Sequence, residues 1–529
     1  MSKCRFLRQK KQVQINGEWV DTRSYRYIPY SDVIMQGITI KNGPPRGEVK
    51  IFFKDDKKYE LVFENGKSFH LDENGYCHIE IGDNLLDGIM IGDNTSTLYP
   101  SCEVEVKGCN LHYIRMTGMG KVNFYNSRFI TDRQYHICEG LSVNEITFNS
   151  FDTSNARRMS SMFCGYSDIT SLDLSSFDTS LVTSMGGMFD FCTNLTSLDV
   201  SSFDTSNVIG MGGMFEDCYS LTSLDVSNFN TSNVTWMAGM FEDCRSLTSL
   251  DVSNFDTSNV TTMRSMFKGC SSLKSLDLSN FDTSNVISME QMFRDCSSLT
   301  SIDLSSFDTS NVSQGNEMTG HFEGEGMYGM FAGCSSLKSL DLSNFNTLRC
   351  EHFDSMFKDC SSLTSIDVSN FDTWSATDMH SMFEGCSSLK SIDISNFDTS
   401  KVDSMSRMFK NCSSLTSITI DTSNFSTGNL YSFSEMFCGC SSLVSLDLSG
   451  LYVGSEVHEC KSLFSGCSSL EFLDLSGLDF EALFYENMFN GCSKLKTIRM
   501  VRCVDDTINK IKSELTSAGI IDQVTIITE

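Results

Sequence analysis

Residues 244–267 read CRSLTSLDVSNFDTSNVTTMRSMF, and this stretch decides the fold because it holds two hydrophobic periods in succession. Leu250 and Val252 alternate with polar residues, which predicts a short half-buried strand. The apolar residues from Val260 to Phe267 fall at i, i+3, i+6 and i+7, which predicts a short helix. The stretch therefore predicts a coil made of one strand and one or two helical turns.

The same pattern recurs along most of the chain, usually with a step of 26 residues. A Met-Phe pair marks each occurrence, except that Leu463-Phe464 takes its place once. A single coil of this size cannot cover its apolar side, whereas stacked coils bury their apolar columns between neighbours. The sequence predicts an α/β solenoid of about thirteen coils over residues 137–503, with residues 137–151 as a degenerate opening coil. The pairs begin at Met162, Met188, Met214, Met240, Met266, Met292, Met330, Met356, Met382, Met408, Met436 and Met488.

The two ends of the chain lie outside this repeat. Residues 36–136 contain strand-like runs such as Glu48–Phe53 between turn signals, and they predict a β-rich module. Residues 1–35 are basic, include a segment typical of a small hairpin, and are assigned to docking. Residues 504–529 show helical spacing of apolar residues followed by Gly519, and they predict a C-terminal cap on the solenoid.

One unit is recognisable in full, because residues 270–293 read CSSLKSLDLSNFDTSNVISMEQMF. This unit closely resembles the 26-residue bacterial surface-protein repeat, which is related to BspA-like leucine-rich repeats. The resemblance covers about residues 137–503. It implies a right-handed, leucine-rich-repeat-like solenoid of strand plus short helix, and it implies an adhesin displayed on a cell surface.

The charge of the chain limits its partners. The sequence has 40 Lys and Arg against 68 Asp and Glu, a formal net charge of −28. This charge repels nucleic-acid phosphates and anionic lipid, so we expect no nucleic-acid partner and expect a protein or glycan instead. Residues 1–58 differ, because they hold thirteen basic and six acidic residues. We therefore predict that the N-terminal segment docks to a larger assembly, a virion or envelope component, while the solenoid contacts a host surface protein or glycan.

No pattern in the sequence is typical of a catalytic, cofactor or metal site. The GxGxxG match at residues 324–329 follows no strand of a βαβ unit, and the eight histidines are scattered. Cys438 and Cys440 form a close pair, but they have no companion ligands at zinc spacing. Twelve cysteines, from Cys192 to Cys492, share one column, where parallel side chains fit disulfide geometry poorly. We predict reduced core thiols and a non-enzymatic protein without cofactors.

An aspartate occupies the outward strand position of most coils, as at Asp251, Asp277 and Asp303. One interpretation is a solvated face with Asp–Ser hydrogen bonds between coils. A second is a binding face for a basic protein patch or a hydroxylated glycan, and a third is cation binding between adjacent carboxylates. Another acidic column, represented by Asp256, is expected to close the turn through local bonds from side chain to backbone.

Breaks in the repeat mark further candidate binding residues. One step is 38 residues long instead of 26, and it adds a loop that contains His321 and Phe322. Trp236 and Trp374 replace small polar residues on one flank of their coils, and Trp is over-represented at binding hot spots. The alternative is ordinary sequence drift, with the rings lying over the surface.

These features predict a non-enzymatic adhesive protein that presents its solenoid to a partner. The sequence contains neither a signal peptide nor 18 consecutive apolar residues, so we expect an intracellularly assembled particle and no direct membrane insertion. The preferred interpretation is a phage virion appendage, a tail or head fibre for host recognition. The alternatives are a cell-surface BspA-like adhesin and an intracellular scaffold or enzyme inhibitor, and a homo-oligomer is compatible with each.

Overall fold

The computed structural model gives the backbone of the strands within residues 6–129 and 145–149. It describes side chains at residues 146–149, 151–313, 326–425, 430–449, 451, 459–478 and 485–529. The chain forms two compact units, Met1–Asn254 and Phe255–Glu529, and each unit is described by itself. Among the described residues, no helix combines the length and the apolar character that a membrane crossing requires.

The N-terminal part of the first unit consists of β-sheets. A six-stranded sheet includes the hairpin of Phe6–Ile15 and Glu18–Pro29, whose first strand also pairs with Lys58–Val62. The predicted docking segment 1–35 is therefore hydrogen-bonded into the β-rich module, and its hairpin is larger than expected. A five-stranded sheet ends on Glu145–Asn149, which pairs in parallel with Met119–Tyr125. The remaining strands are Gly37–Lys41, Glu48–Phe53, Tyr76–Glu80, Leu86–Ile91, Tyr99–Lys107, Asn110–Leu111, Ile114–Met116 and Arg128–Phe129.

In both units the repeat forms stacked coils whose apolar residues are buried. At the quoted strand segment, Leu250 and Val252 are buried while Asp251 is exposed, so the predicted alternation is confirmed. The buried phenylalanines of the Met-Phe pairs stack face to face on neighbouring coils. Centroids of Phe189 and Phe215 lie 5.6 Å apart in the first unit, and those of Phe383 and Phe409 lie 5.5 Å apart in the second.

The segment predicted to be a short helix consists of hydrogen-bonded turns in the described coils, and this part of the fold prediction was wrong. Met266 N–H donates to Met263 O at 3.1 Å, an i to i−3 bond. Ser265 N–H instead donates to Glu290 O of the next coil at 2.8 Å. Ser265 also has φ of +53°, which no α-helix contains. Every second N–H group of this segment therefore donates to the next coil, so these groups cannot form the i to i−4 hydrogen bonds of an α-helix.

Regular strands form in only part of the described repeat. In the second unit Ser391–Asp393 pairs in parallel with Ser417–Thr419. A four-stranded parallel sheet joins Ser445–Asp447, Phe472–Asp474, Thr497–Arg499 and Thr525–Ile527, in that order. The described coils from residue 151 to residue 254 keep the alternating burial without a regular strand ladder.

Two buried polar columns join neighbouring coils. The Thr283 hydroxyl donates to Asp308 O at 2.8 Å and accepts from Asp308 N–H at 2.8 Å. The thiol of Cys386 donates to Phe357 O on the preceding coil at 3.1 Å. Other thiols of the cysteine column make the same bond, and burial raises their pKa, to about 12 at Cys296. The hydroxyl and thiol groups of these two columns are thus satisfied by bonds between coils.

The coils on both sides of the 38-residue step keep their register. The Thr309 hydroxyl donates to Asn346 O at 2.9 Å, and the thiol of Cys334 donates to Phe293 O at 3.1 Å. The rings of Phe293 and Phe331 remain stacked at 5.6 Å. The twelve additional residues therefore leave the columns unchanged.

The C-terminal end of the second unit is covered by a helix, Asp505–Ser517, followed by a 3-10 turn at Ile521–Gln523. Ile511 and Leu515 of the helix are fully buried, and Gly519 follows with φ of +72°. Met488 N–H on the last Met-Phe pair donates to a carboxylate oxygen of Glu514 at 3.0 Å. The predicted helix is present and satisfies a backbone donor of the neighbouring coil.

Candidate functional site

The outward aspartates bind the turn of their own coil. Ser253 N–H donates to Asp251 Oδ1 at 3.0 Å, and Ser305 N–H donates to Asp303 Oδ1 at 2.9 Å. The bonds from the Ser253 side chain and backbone lower the pKa of Asp251 below its usual value. Asp277 accepts the same bond from its own turn. The expectation of Asp–Ser hydrogen bonds between coils was wrong. Each of these aspartates binds the serine two residues later in its own turn, because that serine lies nearer to the carboxylate than the next coil does.

Asparagine makes the inter-coil contact instead. In the first unit, Asn228 Nδ2 donates to Val200 O at 3.1 Å and to Phe203 O at 2.9 Å. The second acidic column closes its turns as predicted, since Ser258 N–H donates to Asp256 Oδ1 at 3.1 Å. The outward carboxylates that bind only their own turn stay exposed on the surface, and they form a repeated acidic surface in each unit.

One outward aspartate departs from this arrangement. Asp474 is 3% exposed, and its Oδ2 lies 3.1 Å from Arg499 Nη1 on the next coil. The predicted column of outward carboxylates therefore does not extend to Asp474.

The two candidate tryptophans have different surroundings. Trp236, in the first unit, is half-buried against Gly212, where a Cβ would clash with the indole ring. Trp374, in the second unit, is 53% exposed, and Lys401 Nζ lies 4.0 Å from the centroid of its ring. Trp374 is accessible to a partner, whereas Trp236 is packed on its own protein. His321 and Phe322 lie outside the described residues.

Phe191 is an exposed aromatic residue that the sequence analysis did not single out. Its side chain is 48% exposed and its φ is +57°. Equivalent positions in the first unit hold Gly165, Asp217 and Asp243, residue types that adopt this conformation at lower cost. Aligning the coils would have revealed it as the one aromatic residue among these four.

Beside Phe191 lies an acidic cluster of the first unit. One carboxylate oxygen each of Asp190, Glu216 and Asp217 lies within 4.8 Å of the others. Burial, with a contribution from Asp217, raises the pKa of Asp190 to about 6 although the Cys164 thiol donates to it at 3.5 Å. Asp190 Oδ1 is buried without a hydrogen-bond partner. Ionisation of Asp190 is therefore less favourable in the folded protein than for an exposed aspartate.

A second cluster, in the second unit, combines histidine with aspartate. His352 and Asp354 lie on one coil, and Asp378 and His380 lie on the next. The order of histidine and aspartate is therefore reversed from one coil to the next. One ligand atom each of His352, Asp354 and Asp378 lies within 4.8 Å of the others. Burial raises the pKa of Asp378 to about 6, although His380 N–H donates to its Oδ1 at 2.7 Å. We call these four residues the His–Asp cluster.

The His–Asp cluster was not predicted, although the sequence contains its signal. His352-Phe-Asp354 and Asp378-Met-His380 are separated by one 26-residue step. The histidines look scattered along the chain, and only the alignment of coils places these two pairs side by side.

Comparison with protein families identifies the repeat. The family model described as "Mycoplasma protein of unknown function, DUF285" matches residues 132–250, 246–324, 325–445 and 391–500. These matches cover more than half of the chain. No curated protein sequence gives a significant match.

Two solved structures are similar to this chain at low sequence identity. A leucine-rich cell surface protein from Faecalibacterium prausnitzii A2-165 has 15% identity and a TM-score of 0.29, over 82% of this chain and 94% of that one. The complex of TLR13 with ssRNA13 has 15% identity and a TM-score of 0.21, over 79% of this chain. The match spans about half, 54%, of the TLR13 chain. At these TM-scores neither likeness carries an argument.

Proposed function

The chain belongs to the DUF285 family, described as Mycoplasma proteins of unknown function, and we propose that it acts by binding a partner through the surface of its coils. The observation that carries this proposal is the exposure of Trp374. Its ring is 53% exposed at a repeat position that holds serine in the coils before the 38-residue step, as at Ser310, and again at Ser400. The fold therefore does not require an aromatic side chain there, whereas exposed tryptophan is a common anchor in binding sites.

The charge of the surface supports a protein partner with a basic patch. Residues after 58 carry most of the acidic side chains, and outward aspartates such as Asp303 and Asp341 are exposed and ionised, with lowered pKa values. Such a surface attracts a positively charged partner and accelerates its association. Trp374 would supply the apolar anchor, and the carboxylates would supply steering. A glycan partner is the competing possibility.

The test measures binding of the labelled full-length protein to two surfaces, immobilised poly-L-lysine and an array of neutral glycans. We expect salt-sensitive binding to polylysine and at least a tenfold loss of affinity in Trp374→Ser. Leu348→Ser is the matched control, because Leu348 occupies the same repeat position and is 49% exposed. Equal affinity of the wild type and Trp374→Ser would refute the anchor. Binding to glycans alone would replace the basic partner.

The proposal also covers the type of repeat and the location of the protein. We propose that the coils are of the BspA-like leucine-rich-repeat type, that the protein is a non-enzymatic adhesin, and that it is a virion appendage with a cell-surface adhesin as alternative. The support for two partners is the basic excess of residues 1–58 beside an acidic remainder. Immunogold labelling of purified virions and of intact cells from the same culture tests the location. Label on cells alone would reject the virion.

A further inference from the structure

The His–Asp cluster brings three metal-ligating side chains together on two neighbouring coils of the second unit. His352 Nδ1 lies 3.7 Å from Asp354 Oδ1, and one ligand atom each of His352, Asp354 and Asp378 lies within 4.8 Å of the others. Backbone bridging between His352 and Asp378 fixes the two coils in register. The side chains of His352 and Asp354 are 24% and 16% exposed, so the cluster is shielded while remaining accessible from solvent.

The repeat does not require these residues. The position equivalent to His352 and Asp378 holds Gly326 on the preceding coil and Ser404 on the following coil, and Ser288 holds it one coil before Gly326. Coils with glycine or serine at this position fold into the same stack, as Gly326 and Ser404 show. Two nearby carboxylates repel each other when both are ionised, and their half-buried location strengthens this repulsion. A cluster that the fold does not need and that costs electrostatic energy indicates a ligand of opposite charge.

We propose that His352, Asp354 and Asp378 bind a divalent transition-metal ion of the Zn²⁺ class. One imidazole nitrogen with two carboxylate oxygens is a donor set that such ions accept, and three protein ligands leave a coordination position open. Ligand atoms of a tetrahedral zinc site lie about 3.3 Å apart, since each bond is about 2.0 Å long. The separation of 3.7 Å between the His352 and Asp354 atoms is already close to this value.

The bound ion would act at two levels. Because its ligands come from two coils, it would join them and stabilise the folded state of the second unit. The bond from His380 N–H to Asp378 Oδ1, 2.7 Å long, would orient one ligand as outer partners do in metal sites. The open position would accept an oxygen atom from water or from a partner's carboxylate. This inference is independent of the proposed role of Trp374.

The experiment compares Zn²⁺ binding by the full-length wild type and by a His352→Ser/Asp378→Ser double variant. Serine occupies this position in other coils, at Ser288 and Ser404, so the double variant is designed to keep the fold, which circular dichroism checks. Asp341→Ser is the control for loss of an exposed carboxylate of the same unit. We expect the wild type and the control to bind one more equivalent of Zn²⁺ in equilibrium dialysis than the double variant binds. We also expect Zn²⁺ to raise the thermal midpoint of the wild type more than that of the double variant.

Two further measurements use the wild type alone, so they hold even if a variant misfolds. Zn²⁺ should protect His352 from modification by diethyl pyrocarbonate, as read by peptide mass spectrometry, because the metal occupies the reactive nitrogen. Co²⁺ in the same site should show weak d–d absorption without thiolate charge-transfer bands, which separates it from binding at cysteines. Any one of three results would overturn the proposal. The double variant binds as many equivalents of Zn²⁺ as the wild type, Zn²⁺ leaves His352 open to modification, or every bound equivalent of Co²⁺ shows thiolate bands.

Discussion

Replacing the buried Thr283 by the isosteric Val should destabilise the second unit although the change makes the core more apolar. The hydroxyl both donates to and accepts from the peptide groups of Asp308 at 2.8 Å, and Thr283 is fully buried. Val fills the same space but leaves that N–H and carbonyl without their partner, at about 1–3 kcal/mol for a buried polar group. The added methyl group returns about 0.8 kcal/mol. We expect a net loss of about 1–2 kcal/mol in the free energy of unfolding.

Urea denaturation followed by circular dichroism measures this loss. The matched control is Thr300→Val, because the Thr300 hydroxyl is exposed and its bond to Lys274 O is long, at 3.4 Å. We expect the control to change stability by less than about 0.5 kcal/mol. A Thr283→Val protein as stable as the wild type, or more stable, would show that the threonine column does not hold the coils together.

Two further predictions concern the first unit. Phe191→Gly should be more stable than Phe191→Ala by about 1 kcal/mol in urea denaturation, because both remove the ring and only Ala places a Cβ at φ of +57°; the reverse order would contradict the left-handed backbone. Asp190→Asn should be more stable than the wild type at pH 7 but not at pH 4, since a folded pKa raised to about 6 makes wild-type stability fall as pH rises through that value. Thermal midpoints across this pH range test the second prediction, and parallel curves for the two proteins would refute it.

The sequence predicts the buried columns well and the backbone between them less well. Alternation at Leu250 and Val252 has one simple meaning, one face in and one face out, and the structure agrees. The spacing from Val260 to Phe267 was misinterpreted, because apolar residues three and four apart can also be buried by successive turns. The recurrence of Gly inside the equivalent segments, at the left-handed positions Gly187, Gly213 and Gly239, was the signal against a helix.

Binding residues were harder to predict because their surroundings come from the next coil. Trp236 looks like an exposed anchor in the sequence, but its burial depends on Gly212, one coil away. The ring of Trp374 is contacted by the side chain of Lys401 on the next coil, yet it remains exposed. His352 and Asp378 can be recognised as members of one cluster only when the coils are aligned, because the alignment places one beside the other. Contacts at a distance of one repeat can be predicted once the coils are aligned, whereas the packing of a large side chain on a neighbour needs coordinates.

Because the coils keep their register across the 38-residue step, the chain can accept insertions at this point. Thr309 and Phe293 find their partners on the following coil as if the twelve additional residues were absent. Because each coil bonds to the next through the same groups, a gene for this protein can gain a peptide between residues 313 and 326 without disturbing the stack. The same point is a place for an engineer to graft a foreign epitope, and natural variation there would change what the protein displays while leaving its scaffold intact.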